Sequence, residues 1–262
     1  MSNSYQKELD CVLEVVERAS QKILEIYHTN FDVKLKADHS EVTEADLKSN
    51  QIIVESLSKN FPEYAILSEE NKDNKERLTN DYCWIIDPID GTKDFVNRTN
   101  HFAINIALCY KHEIVLGVIK VPCENICYYA IKGKGAYKIE NNQISKIHVS
   151  DRKSNLRFIT SQFFFVKDPM FDNKIIGKRI VIGSSYKAGY VAEGKGELCV
   201  KLDPNSKEWD TAPCEIIVKE AGGIMTDLHG NIRKYNKDDV YNHDGFIIAN
   251  NIDVLNEFKK NN

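Results

Sequence analysis

The sequence lacks most of the signatures that would assign it quickly. None of its seven cysteines sits in a CxxC pair. Cys123 and Cys127 lie four apart with no second pair at zinc-site spacing, so the thiols read as free and buried in a reducing compartment. "HEIVL" at His112 is not HExxH, which removes a zinc protease, and no GxxxxGK[ST] occurs, which removes a P-loop. The opening MSNSYQKELD has no basic-then-apolar leader pattern. Apolar runs such as HFAINIALCY are far too short to span a bilayer. The expectation is a cytoplasmic protein with no integral membrane association. A formal net charge of −4 gives no overall pull toward a nucleic-acid polymer or an anionic membrane. An anionic substrate would have to be drawn by local groups.

What remains is 262 residues, 42% of them hydrophobic and 28% charged, enough for one sizeable core. Leu9, Val12, Leu13, Val16, Ile23 and Leu24 recur at helical spacing between about Tyr5 and Tyr27. "FDVKLKAD" alternates like a half-buried strand. "VTEADLKSNQIIVESLSKNF" predicts a helix with Thr43 as N-cap and Asp46 three residues on, as in a capping box. "AIL" is a short strand leading to Ser68-Glu69-Glu70, and the polar "NKDNKERLTND" reads as a mobile surface loop. After "WIID", three strand candidates ("FAINIALCY", "EIVLGVIKVP", "ICYYAIKGKGAYKI") suggest an antiparallel meander. Past Ser150, strands ("RIVIGSS", "ELCVKL", "GFIIANN") alternate with helices ("YKAGYVAEG", "TAPCEIIVKEAGG", "IDVLNEFKK"). One α/β unit follows, residues 1–262, with an α+β lobe to about 149 and an α/β lobe over about 150–262.

The segment "WIIDPIDGTKDF" carries an apolar strand into two aspartates, Asp87 and Asp90. Pro88 bends the chain and Gly91 permits a turn. As turn formers alone, Asp, Pro and Gly need no further explanation. Two carboxylates about 4 Å apart, however, repel by roughly 4 kcal/mol at an effective dielectric of 20, a large share of a domain's stability. Either the pair stays apart in solvent or a cation sits between. Oxygen ligands without histidine or thiolate favour a hard ion, and Mg²⁺ suits few carboxylates plus phosphate oxygens. Glu69-Glu70 and Asp210 are further acids, although Asp210 also reads as an ordinary N-cap behind Trp209.

Together "SEE", "DPIDGT" and "EWDTAP...EAGG" resemble the inositol monophosphatase superfamily of Mg²⁺-dependent, lithium-sensitive phosphatases, from about Glu41 to Gly223. The resemblance implies that family's α/β fold of alternating helix and sheet layers, shared with fructose-1,6-bisphosphatase. It implies two or three Mg²⁺ ions, Li⁺ inhibition, and a monomer or homodimer acting on a small phosphorylated substrate. It implies metal ligands at Glu69, Asp87, the Ile89 carbonyl, Asp90 and Asp210. Asp46, Thr92 and Glu69 become the catalytic set, with Asp46 and Thr92 orienting the attacking water. Ile89, Asp90, Gly91, Thr92 and Asp210 would also meet the phosphate. An aspartyl-phosphate mechanism fits less well, because a DxD pair on one strand face needs one intervening residue, not two. A noncatalytic metal-binding module is the reading from another class.

"LSEE", "DGTKDF", "VIGSSYKAGYVAEG" and "EWDTA" look most like the CysQ-type 3'(2'),5'-bisphosphate nucleotidases, which convert 3'-phosphoadenosine 5'-phosphate to AMP. Inositol phosphatases, which typically carry "DGTTNF", and other sugar-phosphate phosphatases are the alternatives. Ser184, Ser185 and Lys187 would meet a second phosphate or ribose, or else form a helix start with a solvated lysine. Lys93 is a mouth residue or a surface charge. Two departures stand out. "TSQFFFVKDPM" replaces the family's Ser-Arg-Ser-His loop, with Phe163 to Phe165 either stacking on a purine or packing in the core. Asp203 stands where inositol phosphatases place an acid against a ring hydroxyl.

Overall fold

A computed structural model describes residues 4–36, 41–162 and 175–260. The long first helix, α1 (Gln6–Tyr27), lays Leu9, Val12, Val16 and Ile23 against α2 (Glu44–Asn60) and one face of a seven-stranded sheet. That sheet runs β3 (Ala65–Ser68), β4 (Tyr82–Asp90), β5 (Ala103–Tyr110), β6 (Glu113–Val121), β7 (Ile126–Ile131), β8 (Gly135–Glu140) and β9 (Gln143–Ile147), in sequence order. Only β3 and β4 are parallel; the rest is the expected antiparallel meander. The third strand candidate is a hairpin, because the turn at 132–134 divides "ICYYAIKGKGAYKI" into β7 and β8.

β4 is covered on both faces, which explains its unbroken apolar run. Trp84 and Ile86 face the α1–α2 layer, and Cys83 and Ile85 face the opposite core. That second core is filled by α4 (Tyr186–Ala192) and α5 (Glu208–Glu220). Beyond it lies a five-stranded sheet ordered β11 (Ile176–Val181), β10 (Leu156–Thr160), β12 (Leu198–Lys201), β14 (Phe246–Ala249), β13 (Ile224–Thr226). Its inner face gives Ile159, Cys199 and Ile248 to the α4–α5 core; its outer face packs Phe158, Leu198 and Ile247 on α6 (Ile252–Lys260). The layers thus alternate helix, sheet, helix, sheet, helix. Gly117 of β6 lets α5 approach closely: a Cβ there would lie 2.5 Å from Ile216 Cγ2 and 2.9 Å from Pro213 Cα.

Several expectations need correction. "FDVKLKAD" gives only β1 (Val33–Leu35), paired with β2 (Glu41–Thr43), and all three residues of β1 are exposed rather than half-buried, because this ribbon stands off both sheets. Ala37 and Asp38 of that stretch lie outside the described residues. The polar segment 71–81 is anchored. Arg77 is 2% exposed, donates to Asp73 at 2.9 Å and to Asn236 at 2.7 Å, and pins a short 3₁₀ turn, Glu76–Thr79. All seven cysteines are free, and among the described residues no helix is long and apolar enough to cross a membrane.

Candidate active site

The acids arrive on separate elements. β4 ends in "DPID", and the pairing with β5 is interrupted between Asp87 and Asp90. There Ser49 Oγ of α2 donates to the Pro88 carbonyl (2.9 Å), and the Ile89 N–H donates back to Asp87 Oδ1 (3.0 Å). Gly91, at φ 88°, reverses the chain into the short helix α3 (Thr92–Val96), a conformation that costs a residue with a Cβ. Asp210 lies in the first turn of α5, and its Oδ2 accepts the Lys207 N–H at 2.7 Å. It is therefore the third helical residue reaching back, rather than the N-cap that "EWDTAP" allowed as an alternative.

Asp87, Asp90 and Asp210 converge, each offering an oxygen within 4.8 Å of the others. Asp87 is 2% exposed. Burial first, then the charges of Glu69, Asp90 and Asp210, push its carboxyl well above the ordinary range. Burial likewise raises Asp210, with Lys201 opposing. Each acid commits one oxygen to protein donors: Asp87 Oδ1 to Ile89, Asp90 Oδ2 to Ser185 N–H and to Asn105 Nδ2 (3.4 Å), Asp210 Oδ2 to Lys207. The remaining oxygens take no hydrogen bond from described residues. Three hard oxygen donors, fixed from behind and facing a cavity, fit a divalent cation of the Mg²⁺ type.

Glu69 borders the same cavity, yet its Oε1 is engaged by Lys36 Nζ at 3.0 Å, which also reaches Glu70 at 2.6 Å. Burial alone would lower that lysine; Glu69 and Glu70 outweigh it and hold the ammonium firmly charged. Asp46 serves two partners at once. Its Oδ2 accepts from the Thr43 N–H (2.7 Å) and Oγ1 (2.6 Å), closing the capping box, while its Oδ1 accepts from Thr92 Oγ1 (3.2 Å). Burial raises its carboxyl above the ordinary range.

A cavity of about 750 Å³ opens over these groups, lined also by Ile89, Gly91, Thr92, Lys93, Ser184, Lys187 and Asp203. Ser185 faces inward instead, donating its Oγ to Asn105 Oδ1 at 2.6 Å. Asp203 is exposed at the rim and accepts from Asn205 (2.9 Å). Phe163 to Phe165 lie outside the described residues. Motif reading missed Asn105 and Lys201. Asn105, wholly buried, ties Asp90, Ser185 and the Trp209 carbonyl (3.2 Å) together; its signal was a lone amide within the apolar run "AINIAL".

The chain matches the family model described as "Inositol monophosphatase family" over residues 5–260, and it belongs to that family. It is a phosphatase of small phosphorylated substrates. It is 35% identical to the 3'(2'),5'-bisphosphate nucleotidase CysQ of Aggregatibacter actinomycetemcomitans, over 92% of each chain. It is 34% identical to a fructose-1,6-bisphosphatase/inositol-1-monophosphatase of Thermotoga maritima, over 82% of each. The crystal structure of CysQ from Bacteroides thetaiotaomicron, 30% identical, superposes with a TM-score of 0.81 over 94% of this chain and 98% of that one.

Proposed function

We propose that this phosphatase is divalent-metal-dependent and removes the 3'- or 2'-phosphate from a nucleoside 3'(2'),5'-bisphosphate, converting 3'-phosphoadenosine 5'-phosphate to AMP. The observation that carries the hydrolytic reading is the convergence of Asp87, Asp90 and Asp210 beside the Asp46–Thr92 hydrogen bond. Asp87, Asp90 and Asp210 would hold Mg²⁺, with Glu69 and the Ile89 carbonyl as further oxygen ligands. Bound there, the ion would neutralise phosphate charge and lower the pKa of an attacking water.

The chain's own groups supply the rest. Thr92 commits its proton to Asp46, which turns a hydroxyl lone pair toward the cavity, where it can accept from water and aim it. Asp46, raised by burial, is a better base than an exposed aspartate and takes the proton through Thr92. Helix amides at Gly91 and Thr92, which have no partner within their own helix, can hold phosphate oxygens. Positioning and charge neutralisation are what phosphoryl transfer chiefly needs.

The bisphosphate preference rests on the lysines around the same cavity. Lys93 and Lys187 line the cavity, positive charge beyond the metal acids that could meet a second phosphate, and the volume suits a nucleotide. The sequence relatives named CysQ support the same reading. The similarly close Thermotoga relative keeps an inositol or sugar phosphate as the second reading, with Asp203 as a hydroxyl acceptor. Steady-state hydrolysis of 3'-phosphoadenosine 5'-phosphate and of inositol 1-phosphate, both with Mg²⁺, decides between them. A higher kcat/KM for the bisphosphate is expected; a higher value for the inositol ester would transfer the assignment.

A further inference from the structure

Lys201 closes β12, and its Nζ stands 4.0 Å from Asp210 Oδ2 and 4.0 Å from Asp203 Oδ2. Among the described residues it is the one side-chain cation in ion-pair reach of the Asp87–Asp90–Asp210 trio. Lys36 serves the other edge of the site, at Glu69 and Glu70. The contact to Asp210 is too long for a directed hydrogen bond, and the same Oδ2 already accepts from the Lys207 amide. Its hold on Asp210 is therefore one of charge rather than of a directed hydrogen bond. Its side chain is 34% exposed. It borders the main cavity and also a narrow recess of about 40 Å³ beside Asp90, Lys187, Cys214 and Phe246. The ammonium has room to withdraw without unpacking the core.

The geometry points to an exchange: Lys201 is the resident counter-cation of Asp210, compensating the trio until a divalent ion arrives, and it gives way to that ion on binding. A doubly charged ion binds carboxylate oxygens at roughly 2.0–2.1 Å, half the distance of the ammonium, and so outcompetes it. Two consequences follow from one charge. The metal-free trio is held together, and its affinity for the ion is set lower than three uncompensated acids would give. The inference rests on the divalent-ion reading of the trio.

Calorimetric titration of Mn²⁺ into the metal-free full chain tests it, without substrate, for wild type, Lys201→Met and Lys201→Arg. Removing the competing charge should tighten Mn²⁺ binding by roughly tenfold, the scale of one unit charge a few ångström away in a partly solvated site. Lys201→Arg should stay within about threefold of wild type, since it keeps the charge. Thermal unfolding supplies a second readout. Lys201→Met should melt below wild type in chelator and gain more than wild type when Mn²⁺ is added. Equal or weaker Mn²⁺ binding by folded Lys201→Met would overturn the role of Lys201 while leaving the metal site intact. No Mn²⁺ uptake by wild type would remove the exchange and the metal reading together.

Discussion

Under the proposed mechanism Asp46 divides its two oxygens between folding and chemistry, so substitutions around it should separate the two. Oδ2 receives two hydrogen bonds from Thr43, at 2.7 and 2.6 Å, and Oδ1 receives one from Thr92, at 3.2 Å. Asp46→Asn can still offer one oxygen to Thr43 but then presents its amide N–H to Thr92. The Thr92 hydroxyl must reverse, and the base is gone. Hydrogen bonds to a charged group are worth about 1.5–3 kcal/mol, so the variant should lose up to roughly that much stability and still fold. Its kcat should fall by about 10²–10⁴, the range for general-base loss. Thr92→Val should cost the same order in kcat. The double variant should be no worse than either single one, because both groups act on one water. Thr43→Ala is the control: it removes the cap, at about 1 kcal/mol, and should leave kcat within a few fold. Phosphate release at saturating Mg²⁺ gives kcat, and urea unfolding gives stability. Multiplied losses in the double variant, or a kcat in Thr43→Ala as low as in Asp46→Asn, would refute the division of labour.

Gly117→Ala would drive a methyl into Ile216 and Pro213, shifting α5 and with it Asp210; a loss of about 1–3 kcal/mol in urea unfolding should accompany weaker Mg²⁺ binding. Lys187→Ala should raise KM for the bisphosphate more than for a monophosphate, and equal effects would exclude Lys187 from the second-phosphate wall. Glu215 is buried, so its carboxyl is pushed up to about 7, although Tyr235 Oη donates to it at 2.9 Å. The unfolded chain releases that proton near 4.5, so stability from this group is present at low pH and declines between about 4.5 and 7. Glu215→Gln should flatten that part of the stability–pH curve, and an unchanged slope would refute the assignment. Arg77→Met should strand buried Asn236 and lower stability by roughly 2–3 kcal/mol, measured by thermal unfolding.

The parts of the site legible in the sequence were those in which one short segment has to satisfy several demands at once. "DPIDGT" combines a strand end, a bend, a left-handed glycine and two acids, and few backbones other than the observed one accommodate all four. "VTEAD" announced its capping box. Asn105 and Lys201 were not legible, because their roles arise from strands meeting α5 across the core. Asp210 was legible at the start of its helix, but its cap position was not, since a residue reaching back from the first turn resembles an N-cap in sequence. The polar stretch 71–81 looked mobile because the partner that orders it, Asn236, lies far away in the chain. β10 and β13 escaped notice, at five and three residues, as strands too short to show a period.

The claim on which everything turns is that Asp87, Asp90 and Asp210 together grip a divalent ion against the phosphate. Crystals soaked in Mn²⁺ and phosphate, with data collected at the manganese edge, test it most directly. The account predicts an anomalous peak in contact with all three carboxylates and with a phosphate oxygen. Manganese bound elsewhere, with the trio bare in an enzyme that Mn²⁺ activates, would contradict it.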